Sequence, residues 1–517
     1  MTLHATLGPP GTCWTFDDGG KALVLANLLE DPGRTWIRYP GQSIDPDFEH
    51  FPVPLGGEEP YARLRNGRVV SSYLSPFVWL TLPFAAALGF FGQGVLPAIA
   101  GGVTVWLTGR LGGRWAAGIV ALATPLLFYS SVFWEHSLVT ALATAAFVVL
   151  EPAGRERPLT AGLLLGAAAL LREELLLLLG AVSLALLVAG RGRRSFARFA
   201  AGGACGVLAL LAFHRLVSGA WLGVHVGVNA PDPFGNVPAA IDGLLLSGGF
   251  SGVGSTWIVA AVATLIASRS LPGRAAEVVT TIVALGFAFV SVAAFQAFPG
   301  GQDRALALIS SNSALVFVPW VLVVPFLRDA GDKMIPIRRP GVLAASAALF
   351  LAAFVLVVPE RSITGIHPGP RMLLPVLPLF AALAAARWRA GFRFALVPLL
   401  VVAVAWNVRS LELLHGKRHA TGALAAALRE DPRRIVATEL FWLPTELSSL
   451  AGEKQFHLVS GSASFAKLAE RAEEAGEDAI LVVVPPGLLQ RHPDREVRSP
   501  GFPAFSADLY VQPLAPE

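Results

Sequence analysis

The pair Asp17-Asp18, followed by Gly19-Gly20-Lys21, is the stretch of this sequence best equipped for chemistry. A positioned carboxylate acting as a general base typically contributes about 10²–10⁴-fold to a rate. Asp is also a strong helix cap. A helix from Lys21 to Glu30, closed by Pro32-Gly33, is expected just after the pair. Capping and catalysis both stay open, and one carboxylate can cap while the other reacts.

Three further clusters place ionisable groups beside apolar runs, where charge is costly and usually functional. Arg172, Glu173 and Glu174 follow the apolar run 159–171. They read either as a neutralised hairpin tip or as part of a binding site. Glu135 and His136 follow Phe128-Tyr129 and Phe133-Trp134, an aromatic run that also suits a plain membrane boundary. His367 and Arg371 frame His367-Pro368-Gly369-Pro370-Arg371, directly before another apolar run. An Arg at a helix start opposes the helix dipole and so invites an anion, although snorkelling to headgroups would also place it there. Asp45-Pro46-Asp47 reads as a Pro-rich acidic turn.

The elements that must hold these groups are mostly membrane helices. Of 517 residues, 54% are hydrophobic and 15% charged, and the mean hydropathy is +0.60. That composition excludes an ordinary soluble protein. Cys13 and Cys205 make no disulfide or metal framework. Three regions are expected: 1–92, a first extracytoplasmic loop with juxtamembrane helices between Ser75 and Phe91; 93–410, a helix bundle; and 411–517, a small α/β domain of parallel strands.

About twelve crossings are expected, at 94–109, 115–132, 137–150, 159–171, 174–190, 199–217, 255–268, 276–296, 312–327, 341–358, 371–386 and 392–408. Basic residues gather in alternate loops, as at Arg191, Arg193, Arg194 and Arg198, or at Arg328, Lys333, Arg338 and Arg339. The opposite short loops hold only Arg172, Arg304, Arg361 and Arg371. The positive-inside rule makes the first set cytoplasmic. The acidic pair, loop 218–254 and the C-terminal domain then face outward from a bacterial-type plasma membrane. A chain that begins outside calls for one further crossing ahead of Asp17 in the native protein.

The run 159–171 spans about 20 Å at 1.5 Å per residue, against roughly 30 Å of hydrocarbon. Its outer tip, Arg172 onward, is therefore expected at headgroup depth. Glu135-His136 falls at a similar level, so the outer face is expected to form a charged hollow.

Taken in order, these pieces resemble the GT-C class of membrane glycosyltransferases, in particular protein O-mannosyltransferases and the lipid A aminoarabinose transferase. The resemblance covers about Phe16 to Trp406. It rests on the acidic pair, on Ser75-Pro76-Phe77 to Gly92, on Ala123-Thr124-Pro125-Leu126-Leu127 ahead of Glu135-His136, and on Gly166 to Leu175 ending in Arg-Glu-Glu. It also rests on Gly369-Pro370-Arg371 leading into Leu373-Leu374-Pro375 and Leu377-Pro378. The class often has Asp-Glu where this chain has Asp17-Asp18; Asp17 is favoured as the base.

The resemblance implies a polyprenyl-phosphate sugar donor and a lipid, glycan or protein acceptor, with membrane lipids around the site and no nucleic acid. A phosphate monoester leaves without protonation, so one base and direct displacement imply inversion. Arg371, Arg172 and Lys21 would offset charge on the leaving phosphate. Glu135, His136, Glu173 and His367 complete the expected substrate-binding set. No cofactor is expected, although Asp17, Asp18 and Glu135 could hold a divalent metal if they converge. The alternatives are a transporter or lipid-carrier flippase, against which stands the lack of internal repeats, and a glycan polymerase or ligase using a diphosphate-linked donor.

Overall fold

A computed structural model of the chain describes residues 11–55, 61–151, 157–188, 193–217, 253–297, 308–327, 340–357, 367–389, 391–485 and 508–514, with isolated residues at 219, 221, 237 and 241. Loop 218–254 lies almost wholly outside the described residues, as do Arg191, Arg304, Arg328, Lys333, Arg338, Arg339 and Arg361.

The first polar segment forms α1 (Phe16–Glu30), strands β1 (Ala62–Arg65) and β2 (Arg68–Ser71), and α2 (Pro76–Leu88). α1 begins at Phe16, not near Lys21, so the acidic pair lies inside its first turn. Gly19 and Gly20 are poor helix formers, but the close packing here admits no larger residue. A Cβ on Gly19 would fall 2.3 Å from the Thr445 carbonyl oxygen, and one on Gly20 2.4 Å from the Tyr73 ring. The hairpin β1–β2 is absent from the sequence expectations. Its turn, Asn66-Gly67, has φ of 51° and 70°, the backbone that two-residue hairpin loops need.

The helical region contains α3 (Val95–Gly112), α4 (Arg114–Leu122), α5 (His136–Leu150), α6 (Pro158–Leu171), α7 (Leu175–Val188), α8 (Arg193–Val217), α9 (Val253–Ser268), α10 (Gly273–Ala297), α11 (Pro340–Val357), α12 (Leu377–Arg389) and α13 (Arg393–Glu430). Among the described residues, five helical stretches are long and apolar enough to cross a membrane: Pro76–Gly112, Arg193–Val217, Gly273–Ala293, Arg371–Arg389 and Arg393–Glu430. Shorter apolar helices accompany them. The chain is a multi-pass membrane protein, mainly α, with a small α/β portion.

Three expected elements change form. The span 115–132 breaks after α4, because Pro125 cannot donate to a continuing helix; only a short turn, Leu126–Tyr129, follows. The span 312–327 is split by Pro319 and Pro325 into Ala314–Phe317, Trp320–Val323 and a 3₁₀ turn. Between Ser75 and Phe91 there is one helix and the start of a tight turn, Gly89–Gly94, instead of a helix pair. Elsewhere packing is close enough to require glycine. α6 and α8 meet through Gly162, Gly166, Gly202 and Gly206, where an added Cβ would lie within 3.0 Å of the facing backbone. Small residues four apart are the usual means of bringing membrane helices together.

After α13 come β3 (Ile435–Thr438), a short turn Leu443–Glu446, β4 (Gln455–Leu458), α14 (Ser462–Glu474), β5 (Ala479–Val484) and β6 (Asp508–Pro513). The sheet order is β4-β3-β5-β6. The three expected strands are parallel to one another, and β6, not expected from sequence, adds antiparallel to β5. Burial explains the strand composition: Ile435 to Thr438 is buried throughout, as apolar runs in parallel sheets are.

The described residues divide into two compact units. Those within Leu96–Leu222 and Asn229–Leu411 form a helical unit; those within Thr2–Val95 and Glu412–Glu517 form an α/β unit. The first polar segment and the C-terminal segment, separate regions when judged from sequence, thus share one unit. Ile44 packs with the β3 and β5 residues Ile435, Ala437 and Ile480. Asp45 is fully buried; it accepts hydrogen bonds from Tyr39 and from the backbone of His50, and pairs with Arg471 at 2.9 Å. The acidic turn is a staple between these segments. Burial also holds the neighbouring His457 down at about 4, so it stays neutral at physiological pH.

Candidate active site

In the α/β unit, the two carboxylates of the acidic pair have different environments. Asp18 is buried. Its oxygens accept from the Trp14 backbone N–H at 2.9 Å, the Thr15 N–H at 2.7 Å and the Thr15 hydroxyl at 2.9 Å. This is the reciprocal half of a capping box. Burial raises its pKa, opposed by those hydrogen bonds. The capping role falls on Asp18.

Asp17 is partly exposed, and its Oδ1 accepts the Tyr73 hydroxyl proton at 2.8 Å. Lys21, one turn on, is buried, with its ammonium 5.3 Å from the Tyr73 ring centre. Phe16, Tyr61, Tyr73 and Phe441 cluster around this point, Phe16 lying 4.4 Å from Tyr61 and 5.5 Å from Phe441.

The segment leading into the pair is fixed by residues that sequence did not single out. Lys417, on the Glu412-to-Glu430 portion of α13, donates to the Trp14 carbonyl at 3.2 Å and pairs with the buried Glu446 carboxylate. Arg418 donates to the Thr12 carbonyl at 3.1 Å, and the Cys13 N–H donates to the Glu446 carbonyl at 2.9 Å. Burial pushes the Glu446 carboxyl up to about 7, against the pull of Lys417. The one sequence sign was the charged run Lys417-Arg418 within an otherwise continuous helix.

Tyr73 reaches Asp17 only because Gly20 leaves room for its ring. Gly20→Ala should displace that ring and break its hydrogen bond to Asp17. Helix propensity alone would make the variant about 1 kcal/mol more stable. Ring contacts of Tyr73 followed by NMR beside thermal stability separate the two effects.

In the helical unit, Arg172 gathers the second set of expected residues. Its Nη1 lies 3.2 Å from Glu135 Oε1 and 2.9 Å from His136 Nε2, its Nε pairs with Glu174, and its Nη2 is 3.7 Å from the Met372 sulfur. Arg371 lies over the Trp134 ring at 5.7 Å. Trp134 in turn contacts His136 at 5.0 Å and the buried His367 at 6.1 Å between ring centres. His136, Arg172, Glu174, Arg371 and Met372 come together in one closely packed place. These residues sit at the ends of α5 and α6 and in the 3₁₀ segment Arg371–Val376. Their position follows from helix-terminating signals: Pro370 precedes the 3₁₀ turn, Pro375 lies within it, and Gly369 takes a φ of +78°.

Glu173 differs from the expectation that it lines the same site. It turns to His214 on α8, at 2.8 Å, and Glu174 takes the Arg172 pairing. Three successive residues cannot all face one side of a turn. Among the described residues, no group of three or more His, Cys, Asp or Glu side chains is arranged to hold a metal ion.

No protein-family model matches the sequence, and no curated protein does. The structure is similar to ArnT from Cupriavidus metallidurans in the apo state, with 13% identity, a TM-score of 0.43, and 99% of this chain and 96% of that one covered. It is similar to the same protein bound to undecaprenyl phosphate, again at 13% identity, with a TM-score of 0.44 and coverage of 98% and 95%. A third similarity is to the Archaeoglobus fulgidus oligosaccharyltransferase tethered to an acceptor peptide, at 14% identity and a TM-score of 0.41, over 92% of this chain and 65% of that one. These likenesses assign no activity to this chain.

Proposed function

We propose that this chain is an integral membrane glycosyltransferase that moves a sugar from a polyprenyl-phosphate donor to an extracytoplasmic acceptor hydroxyl with inversion. The observation that carries this reading is the division of labour in the acidic pair. Asp18 is occupied as a cap, whereas Asp17 is partly exposed and oriented by Tyr73. A base must be both held and reachable.

Asp17 takes the acceptor hydroxyl proton while that oxygen bonds to the anomeric carbon from the face opposite the phosphate. The carbon–phosphate-oxygen bond breaks, and polyprenyl phosphate departs as an anion. Within the α/β unit, Lys21, one turn on from Asp17, supplies positive charge for that anion, an arrangement that charge-assisted hydrogen bonds suit well. Within the helical unit, Arg172 and Arg371 are the groups proposed to bind phosphate; Glu135 and His136 orient Arg172, and Trp134, packed against His367, lies under Arg371. The asymmetry of basic loops supports the α/β unit facing outward.

The test is reconstitution of the purified protein with labelled polyprenyl-phosphate sugars, hexosyl and pentosyl, and native membranes as a source of lipid, glycan and protein acceptors. Label should leave the donor and appear in product with inverted anomeric configuration. Donor left intact throughout, or product with retained configuration, would overturn the reading. In the same assay, Arg371→Gln should raise the donor KM by about 10–100-fold, the loss of one hydrogen bond to a charged group. An unchanged KM would remove Arg371 from the donor site.

A further inference from the structure

Apart from Tyr73, which orients Asp17, the aromatic cluster around Asp17 has no role in the chemistry above. Phe441 is 46% exposed, and Phe16, Tyr61 and Tyr73 are partly exposed. Tyr61 is nearly parallel to both Tyr73 and Phe441, at interplanar angles of 8° and 10° and centroid separations of 6.2 and 6.3 Å. Tyr73, Tyr61 and Phe441 therefore form a shelf of rings in near-parallel planes, with Phe16 tilted against it at 59° to 71°. Its Tyr73 end donates a hydrogen bond to Asp17.

We infer that this shelf is the acceptor subsite, and that its ligand is a carbohydrate ring. This rests on the reading of Asp17 as the base, because the group lying beside a base is the one that loses its proton. A pyranose has one face of polarised C–H bonds and a rim of hydroxyls. The negative π-face of an aromatic ring attracts the first, and a carboxylate at the shelf's end accepts from the second. An acyl chain would match the rings but would bring hydrocarbon against Asp17, which is costly. The acceptor is thus a glycan or a glycosylated lipid, presented with one hydroxyl toward Asp17.

The test needs no knowledge of the natural acceptor. Saturation-transfer NMR on the full chain in detergent, with a panel of methyl pyranosides as probes, should show transfer to the ring hydrogens of at least one sugar. Phe441→Leu keeps apolar bulk but removes the π-face, and should weaken that binding about tenfold. Phe441→Tyr should preserve it. In the transfer assay, Phe441→Leu should raise the acceptor KM and leave kcat and the donor KM unchanged. Equal pyranoside binding by wild type and Phe441→Leu would overturn the subsite, as would transfer confined to detergent or lipid chains. Absence of sugar transfer by the wild type would instead sink the glycosyltransferase reading, so the two failures are distinguishable.

Discussion

Asp17→Asn is expected to lower the rate of sugar transfer by about 10²–10⁴-fold, the usual contribution of a positioned general base. The substitution keeps the size of the side chain, and the amide oxygen can still accept from Tyr73, so α1 should remain folded and donor KM unchanged. Asp18→Asn should behave differently. Its side chain accepts three hydrogen bonds at the start of α1, and weakening that cap should cost about 1 kcal/mol of stability while most of the turnover survives. The pair of variants, assayed for initial rate and for thermal stability, gives opposite patterns if the labour is divided as the geometry indicates. Full turnover in Asp17→Asn would remove the proposed base.

Much of this arrangement was legible in the sequence, and the reasons differ by residue. The apolar runs announce most helices because a membrane helix is read from composition over about 20 residues. Glu135, His136, Arg172 and Arg371 stand out in the sequence because each is a charged or polar group bordering an apolar run. What stayed hidden was anything that depends on distant partners. Nothing local to Asp18 says that Trp14 and Thr15 occupy its oxygens, so the pair could not be divided in advance. Gly19 and Gly20 argue against a helix by propensity, and only the nearness of Thr445 and Tyr73 explains why no side chain stands there. Pro125, Pro319 and Pro325 were all in view, but a long apolar window outweighed them, so two broken segments passed for continuous spans. Adjacency in sequence does not reveal which way a turn faces, so nothing local separates Glu173 from Arg172.

Lys417→Met is the substitution expected to cost the most stability in the α/β unit. Lys417 and Glu446 are both buried and paired, and Lys417 also bonds the Trp14 carbonyl. Removing one member of a buried ion pair typically costs about 3–5 kcal/mol, because the other charge is left uncompensated. Here Lys417 also attracts Asp18, so two carboxylates lose a counter-charge. The loss should depend on pH, with a sign that can be worked out. Burial raises Glu446 from an ordinary 4.5 to about 7, so between those values the folded form holds a proton that the unfolded form has released. That contribution is complete below about pH 4.5 and is lost as pH rises through 7. Without Lys417 the folded value climbs further and the loss deepens at alkaline pH. The variant should therefore lie nearest to wild type at pH 5 and furthest from it at pH 8. Hydrogen exchange over Thr12 to Lys21 should quicken in parallel, since this ammonium helps to hold the chain that enters the acidic pair. Equal destabilisation at both pH values, or exchange unaltered in that segment, would show that Lys417 does not anchor it.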